Sequence, residues 1–108
     1  MAFVRVAKVA DVAPGSIQQA EAGGRTIALS NVGGTFHAID GTCLHRGGPL
    51  GEGTLEGTVV TCPWHGWQFD VITGKNPLNP AAAVGCFAVE VRGEEVFVDL
   101  GRAGEDRA

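Results

Sequence analysis

Residues 25–39 read RTIALSNVGGTFHAI. Residues 25–32 read as a strand, Gly33-Gly34 as a tight turn, and residues 35–39 as the hairpin partner. The same rhythm extends outward in both directions. Residues 3–9 (FVRVAKV) alternate, which places Phe3, Arg5, Ala7 and Val9 on one face and Val4, Val6 and Lys8 on the other. Ala13-Pro14-Gly15 reads as a turn, residues 17–20 as a short strand and Ala22-Gly23-Gly24 as another tight turn. Residues 58–62 and 67–71 are short apolar strands. Residues 85–92 and 95–100 make a last hairpin closed by Gly93-Glu94. No helical pattern of about ten residues or more occurs. Residues 79–83 allow at most one helical turn. Short strands at roughly 8–12-residue spacing, punctuated by Gly and Pro, predict an all-β antiparallel sandwich or barrel.

Composition agrees with one such unit. The 108 residues predict a single domain over 1–108. Seventeen glycines favour turns and close backbone approaches over long helices. With 12 acidic and 8 basic side chains the net charge is −4, which excludes nucleic acid as a partner, since no basic patch is available for phosphates. The three cysteines, at 43, 62 and 86, give no disulfide framework and suit the cytoplasm. No apolar run approaches the ~20 residues that span a membrane, so no membrane partner is expected. The start of the chain lacks the apolar core of a secretory signal. Residues 101–108 (GRAGEDRA) read as a flexible tail.

Residues 41–79 depart from the strand rhythm. They are rich in loops and hold two of the three cysteines and two of the three histidines. One loop reads Cys43-Leu44-His45-Arg46-Gly47-Gly48-Pro49, the other Cys62-Pro63-Trp64-His65-Gly66-Trp67. As spacing this is C-x-H, sixteen residues, then C-x-x-H. Four ligands in two tight pairs suit a metal. A closed tetrahedral zinc site is one option. Zinc fingers, however, pair Cys with Cys and His with His, whereas each pair here is mixed. Two sulfide-bridged irons, one held by thiolates and one by imidazoles, want that mixture.

The motifs CLHRGGPLGEG and CPWHGWQFDVITG resemble those of the Rieske family, most closely its small soluble ferredoxins, and the likeness runs along essentially the whole chain. The resemblance implies a Rieske-type fold in which a small cluster-binding subdomain, approximately 41–79, is inserted in a β base. It implies one Rieske-type [2Fe-2S] cluster, with Cys43 and Cys62 on the buried iron and His45 and His65 on the outer iron, near the surface. Relatives from respiratory complexes carry an additional cysteine in each loop and hydroxyl groups near the cluster sulfurs. The matching positions here are Gly48 and Trp64 for the cysteines, and Trp67 and Phe69 for the hydroxyls. Without that disulfide and those hydrogen bonds, the potential is expected at the low end of the Rieske range, about −150 mV.

Other residues have two readings each. Gly47, Gly48 and Gly66 let backbone N–H groups approach the cluster, or serve only as turn residues. Pro49 and Pro63 stiffen the loops. Trp64 and Trp67 shield the site or simply pack. Arg46 meets a partner's carboxylates or is solvated. Glu52 and Glu56 form an acidic docking surface or a plain solvated face. His37 reads as a packed or half-exposed strand residue, and Cys86 as a small buried hydrophobe with no ligand role.

By resemblance the chain is an electron carrier and not a catalyst. It would take one electron at a time from a flavin-containing NADH-dependent ferredoxin reductase and pass it to a terminal aromatic-ring-hydroxylating oxygenase, serving aromatic hydrocarbon catabolism. Four protein ligands leave no position open for substrate. A mononuclear oxygenase iron needs two histidines and a carboxylate, and only His37 remains. The alternative is a Rieske-like small subunit of a larger redox complex, such as assimilatory nitrite reductase.

Overall fold

The computed structural model describes residues 3–43, 48–64, 66–79 and 81–100. Among the described residues nine strands form in chain order: β1 (Phe3–Lys8), β2 (Ser16–Ala22), β3 (Arg25–Val32), β4 (Thr35–Asp40), β5 (Thr54–Glu56), β6 (Val59–Thr61), β7 (Gln68–Asp70), β8 (Cys86–Arg92) and β9 (Glu95–Asp99). Single 3-10 turns cover Val9–Asp11 and Leu50–Glu52. The all-β architecture expected from the strand spacing is what forms. Among the described residues, no helix is long and apolar enough to cross a membrane.

Six antiparallel strands make the main sheet in the order β1-β9-β8-β4-β3-β2. Its two ends, β1 and β2, pack together, so the sheet nearly closes on itself. The β3–β4 hairpin turns at Gly33 and Gly34, whose φ angles are 60° and 100°. Both lie in the left-handed region that a Cβ disfavours, as a two-residue hairpin turn of matching twist requires. Asn31 locks this turn from within. Its Oδ1 accepts from Gly34 N–H at 2.7 Å, and its Nδ2 donates to the Val12 carbonyl at 2.8 Å.

Strand β3 is buried on both faces from Ile27 to Asn31, which organises the molecule into two cores. Ile27 and Leu29 point into the curled sheet with Phe36, Ala38, Phe87, Val96 and Val98. Ala28 points the other way, with Ile39, Leu50, Val60, Phe69, Val71 and Val84. This second core lies between the main sheet and a small sheet of order β5-β6-β7. Cys43 and Cys62 belong to it.

The structure departs from the sequence reading in two places. The register of β1 shifts between Arg5 and Ala7, which pair with Phe97 and Val96. Val6 is therefore the inserted residue of a bulge, and the simple alternation over 3–9 breaks there. Ala7 is buried while Arg5 is exposed. Strand β5, in Thr-Leu-Glu, was not anticipated. Ala82 N–H closes a single turn on the Asn79 carbonyl at 2.9 Å, within the one turn the sequence allows there, and Ala83 bridges back to Lys75. Residues 101–108 lie outside the described residues.

Candidate metal centre

Two loops closed at the base by the same backbone bond carry the cysteines. The first leaves β4. Thr42 bridges Pro49, Leu50 N–H donates to the Gly41 carbonyl at 2.9 Å, and Cys43 N–H donates to the Gly48 carbonyl at 2.8 Å. The second joins β6 to β7. Thr61 pairs with Gln68, and Cys62 N–H donates to the Trp67 carbonyl at 2.7 Å. Each cysteine thus sits at the base of its loop with its N–H bonded to the carbonyl five residues on. The echo between the two sequences is an echo in structure. The far end of the first loop is pinned to β2, where Gly51 N–H donates to Gln19 Oε1 at 2.8 Å.

The loops bring the two thiols together. Both cysteines are 2% exposed, neither is in a disulfide, and Cys43 lies near enough to Cys62 to raise the pKa of its thiol. Burial pushes the Cys62 thiol above its ordinary pKa. Trp64 N–H, donating to Cys62 Sγ at 3.4 Å, opposes this, while the hydrogen bond and charge of Cys43 add to it. Gly48 is what lets the loops meet. A Cβ there would lie 2.7 Å from Cys62 Sγ and 3.0 Å from Trp64 Cβ. Gly48 and Trp64 therefore abut across the two loops. Gly66 has a different role: its φ of 75° demands glycine, yet a Cβ there would meet open space.

The expected ligands His45 and His65, together with Arg46 and Gly47, lie outside the described residues. Among the described residues no group of three or more His, Cys, Asp or Glu is placed to hold a metal. The donor set that is described fits one half of a mixed-ligand cluster: two adjacent, reduced, buried thiols with an amide N–H aimed at one sulfur.

Around this pair, Trp67 is half-buried against the second core with its ring centroid 6.3 Å from that of Phe69, and Phe69 is fully buried. Trp64 is 50% exposed. Glu52 and Glu56 are exposed, and His37 is a half-buried residue of β4, as a strand histidine was expected to be. Cys86 corrects its expectation. It is exposed, because β8 alternates Cys86 and Ala88 outward with Phe87 inward, and its Sγ lies 3.7 Å from the Ile72 carbonyl. Sequence reasoning missed the turn after β7. Asn76 Oδ1 accepts from Leu78 and Asn79 N–H at 2.8 and 3.1 Å, and this brings residues 76–79 beside Gly66, Trp67 and Gln68. The Asn-Pro-Leu-Asn-Pro run at 76–80 was its available signal.

Comparison with known proteins places the chain. Residues 2–96 match the model of the Rieske [2Fe-2S] domain, and the chain belongs to that family. It is 38% identical to the ferredoxin CarAc of Metapseudomonas resinovorans over 97% of this chain and 96% of that one. It is 41% identical to the ferredoxin component of biphenyl 2,3-dioxygenase of Rhodococcus jostii strain RHA1, over 93% and 94%. Its fold matches a chain in the solved complex of reduced oxygenase and oxidised ferredoxin of carbazole 1,9a-dioxygenase. That match has a TM-score of 0.79 and 39% identity, over 89% of this chain and 91% of that one. These relatives are ferredoxin components, electron carriers of dioxygenase systems rather than catalytic oxygenases. A nitrite reductase small subunit shares the fold alone, at 16% identity and a TM-score of 0.78. The family implies one Rieske-type 2Fe–2S cluster.

Two outcomes follow from this geometry. Gly48→Ala forces a methyl group against Cys62 Sγ and Trp64. Denaturant unfolding should show a loss of about 1–3 kcal/mol, with unchanged stability contradicting the close approach. The raised Cys62 pKa means that the folded, metal-free chain holds this proton more tightly than the unfolded chain does. Its contribution to stability is present below the ordinary thiol value of 9.0 and is lost as pH rises past it. The melting temperature of the metal-free chain should fall as pH rises past about 9, and Cys62→Ser should flatten that fall. With metal bound, the thiol is deprotonated throughout and the fall should be absent.

Proposed function

We propose that this chain is a soluble, cytoplasmic carrier of single electrons. In this reading it accepts an electron from a flavin-containing NADH-dependent ferredoxin reductase and delivers it to a terminal aromatic-ring-hydroxylating oxygenase. The observation that carries the reading is the pair of reduced, buried cysteines at the bases of two matched loops. The full-length likeness to ferredoxin components supports it. Cys43 and Cys62 are the proposed ligands of the inner iron, and His45 and His65 those of the outer iron. Residues 41–79 are the proposed cluster-binding unit of a single domain. When bound, the cluster supplies a one-electron couple, and neutral imidazoles in place of two thiolates raise its potential.

The chain's own residues do the rest. The second core around Phe69, Val60 and Leu50 keeps water from the cysteine side. Trp64 N–H donates to Cys62 Sγ, which stabilises negative charge on that sulfur. Trp67 and Phe69 bring no hydroxyl to the site, and the sequence contains no tyrosine. Without those hydroxyls to favour the reduced state, we place the midpoint near the low end of the range, at about −150 mV.

Reduction by NADH and candidate reductases, followed at the visible absorption, tests the carrier reading. Bleaching on reduction and recovery on adding a terminal oxygenase is expected. A colourless, zinc-containing protein would contradict it. Voltammetry tests the ligand assignment. The wild-type midpoint should lie near −150 mV, and His65→Cys, which replaces a neutral ligand by an anionic one, should move it towards about −400 mV. An unchanged midpoint would remove His65 from the ligand set.

A further inference from the structure

The limb of the first loop that follows Gly48 is held between the two sheets. Leu50, Gly51 and Glu52 make a single 3-10 turn. A Cβ on Gly51 would lie 2.5 Å from the Gln19 backbone N and Cα, so this turn rests directly on β2. A Cβ on Gly53 would collide with the Thr61 carbonyl oxygen, so the limb also rests on β6, one residue before Cys62. Three of the amides of residues 50–53 bond within the first loop. Leu50 N–H donates to the Gly41 carbonyl at 2.9 Å, Glu52 N–H to the Pro49 carbonyl at 3.0 Å and Gly53 N–H to the Leu50 carbonyl at 3.0 Å. Gly51 N–H instead leaves the loop and donates to Gln19 Oε1 at 2.8 Å, across 32 positions of sequence.

Strand register places Gln19 for this bond. It pairs with Ala28 on β3, and directly opposed residues share a face of the sheet. Ala28 belongs to the second core, and Ile17, two residues before Gln19, packs against that core. Gln19 is thus a half-buried amide on a face that otherwise looks onto apolar side chains. Its oxygen satisfies a backbone N–H of the buried Gly51, which water does not reach.

We propose that Gln19 is a positioning residue for the redox centre: its side-chain oxygen holds the first loop where Gly48 meets Cys62 Sγ. This rests on the cluster-carrying function proposed above. The coupling runs through contacts between neighbours. Gln19 fixes Gly51, Pro49 on the same limb is bridged to Thr42, and Gly48 beside Pro49 abuts Cys62 Sγ and Trp64. Trp64 is also the residue whose N–H donates to Cys62 Sγ at 3.4 Å. Once Gly51 is released, the limb can lift from β2, the two loops part and the donation to sulfur weakens. A donor to sulfur stabilises the reduced, more negative centre, so its weakening disfavours reduction.

The test compares variants of the cluster-loaded protein. Gln19→Leu keeps much of the bulk and removes the acceptor. Hydrogen exchange followed by mass spectrometry should show the amides of residues 49–53 exchanging about tenfold faster or more. Voltammetry should show the reduction equilibrium moved at least about threefold towards the oxidised form, where tenfold is about 59 mV for one electron. The EPR lines of the reduced protein should broaden as the loops sample a wider range of positions. Gln19→Glu retains an acceptor oxygen and should restore slow exchange and narrow lines. Asn31→Ala removes the bonds to Val12 and Gly34, away from the cysteine loops, and so lowers resistance to denaturant. Its midpoint and EPR lines should stay those of the wild type, which separates positioning from a general loss of stability. Wild-type midpoint and line widths in Gln19→Leu, or equal shifts in Asn31→Ala, would overturn the assignment. Should Gln19→Leu not load its cluster, Gln19→Asn, whose shorter side chain leaves the oxygen out of reach, is read by the same measures. A wild type that is colourless and silent in EPR after reduction would defeat the carrier reading itself, before any variant is compared.

Discussion

Two hairpin loops approach so closely at Gly48 that a single added methyl group would press on the Cys62 sulfur. That approach sets the terms for the rest of the molecule. Loops lack a hydrophobic face of their own, so each must be tied down elsewhere. The first is closed at its base by the Thr42–Pro49 bridge and anchored by Gln19 on β2. The second is the connection between paired strands β6 and β7. Both ties run back to the second core, which in turn depends on β3 being buried on both faces.

This arrangement separates two requirements. The cysteine bases of the loops are buried and are oriented by backbone bonds that no side-chain substitution removes directly. The outer parts of the second loop, Pro63, Trp64 and Gly66, are exposed. A redox centre needs both conditions: a low-dielectric, ordered inner side, and an outer side where a partner can come near. In the ligand set proposed above, one cysteine and one histidine per loop would assign one condition to each iron.

Much of this was legible in the sequence, for identifiable reasons. Strand β3 and its turn are encoded locally, by aliphatic residues ending at Gly33-Gly34, and they form where expected. The mixed Cys and His spacing is a local signal of the same kind. What escaped were consequences of packing between distant segments. The bulge at Val6 is set by the register against β9, which nothing in FVRVAKV records. Cys86 is exposed because the pleat of β8 turns it away from Phe87, although a cysteine beginning an apolar run reads as core. Strand β5 is three residues long and exists only because β6 lies beside it. The role of Gly48 as the contact point of two loops is neither of the readings its sequence offers, because it depends on where the other loop places Cys62 Sγ.

Pulsed EPR of the reduced protein, grown with nitrogen-15 histidine, tests the ligand arrangement most directly. The account predicts coupling of the unpaired electron to nitrogens from two histidines, lost by half in His65→Cys and retained in full in Cys86→Ser. A reduced signal with no histidine nitrogen coupling would contradict it.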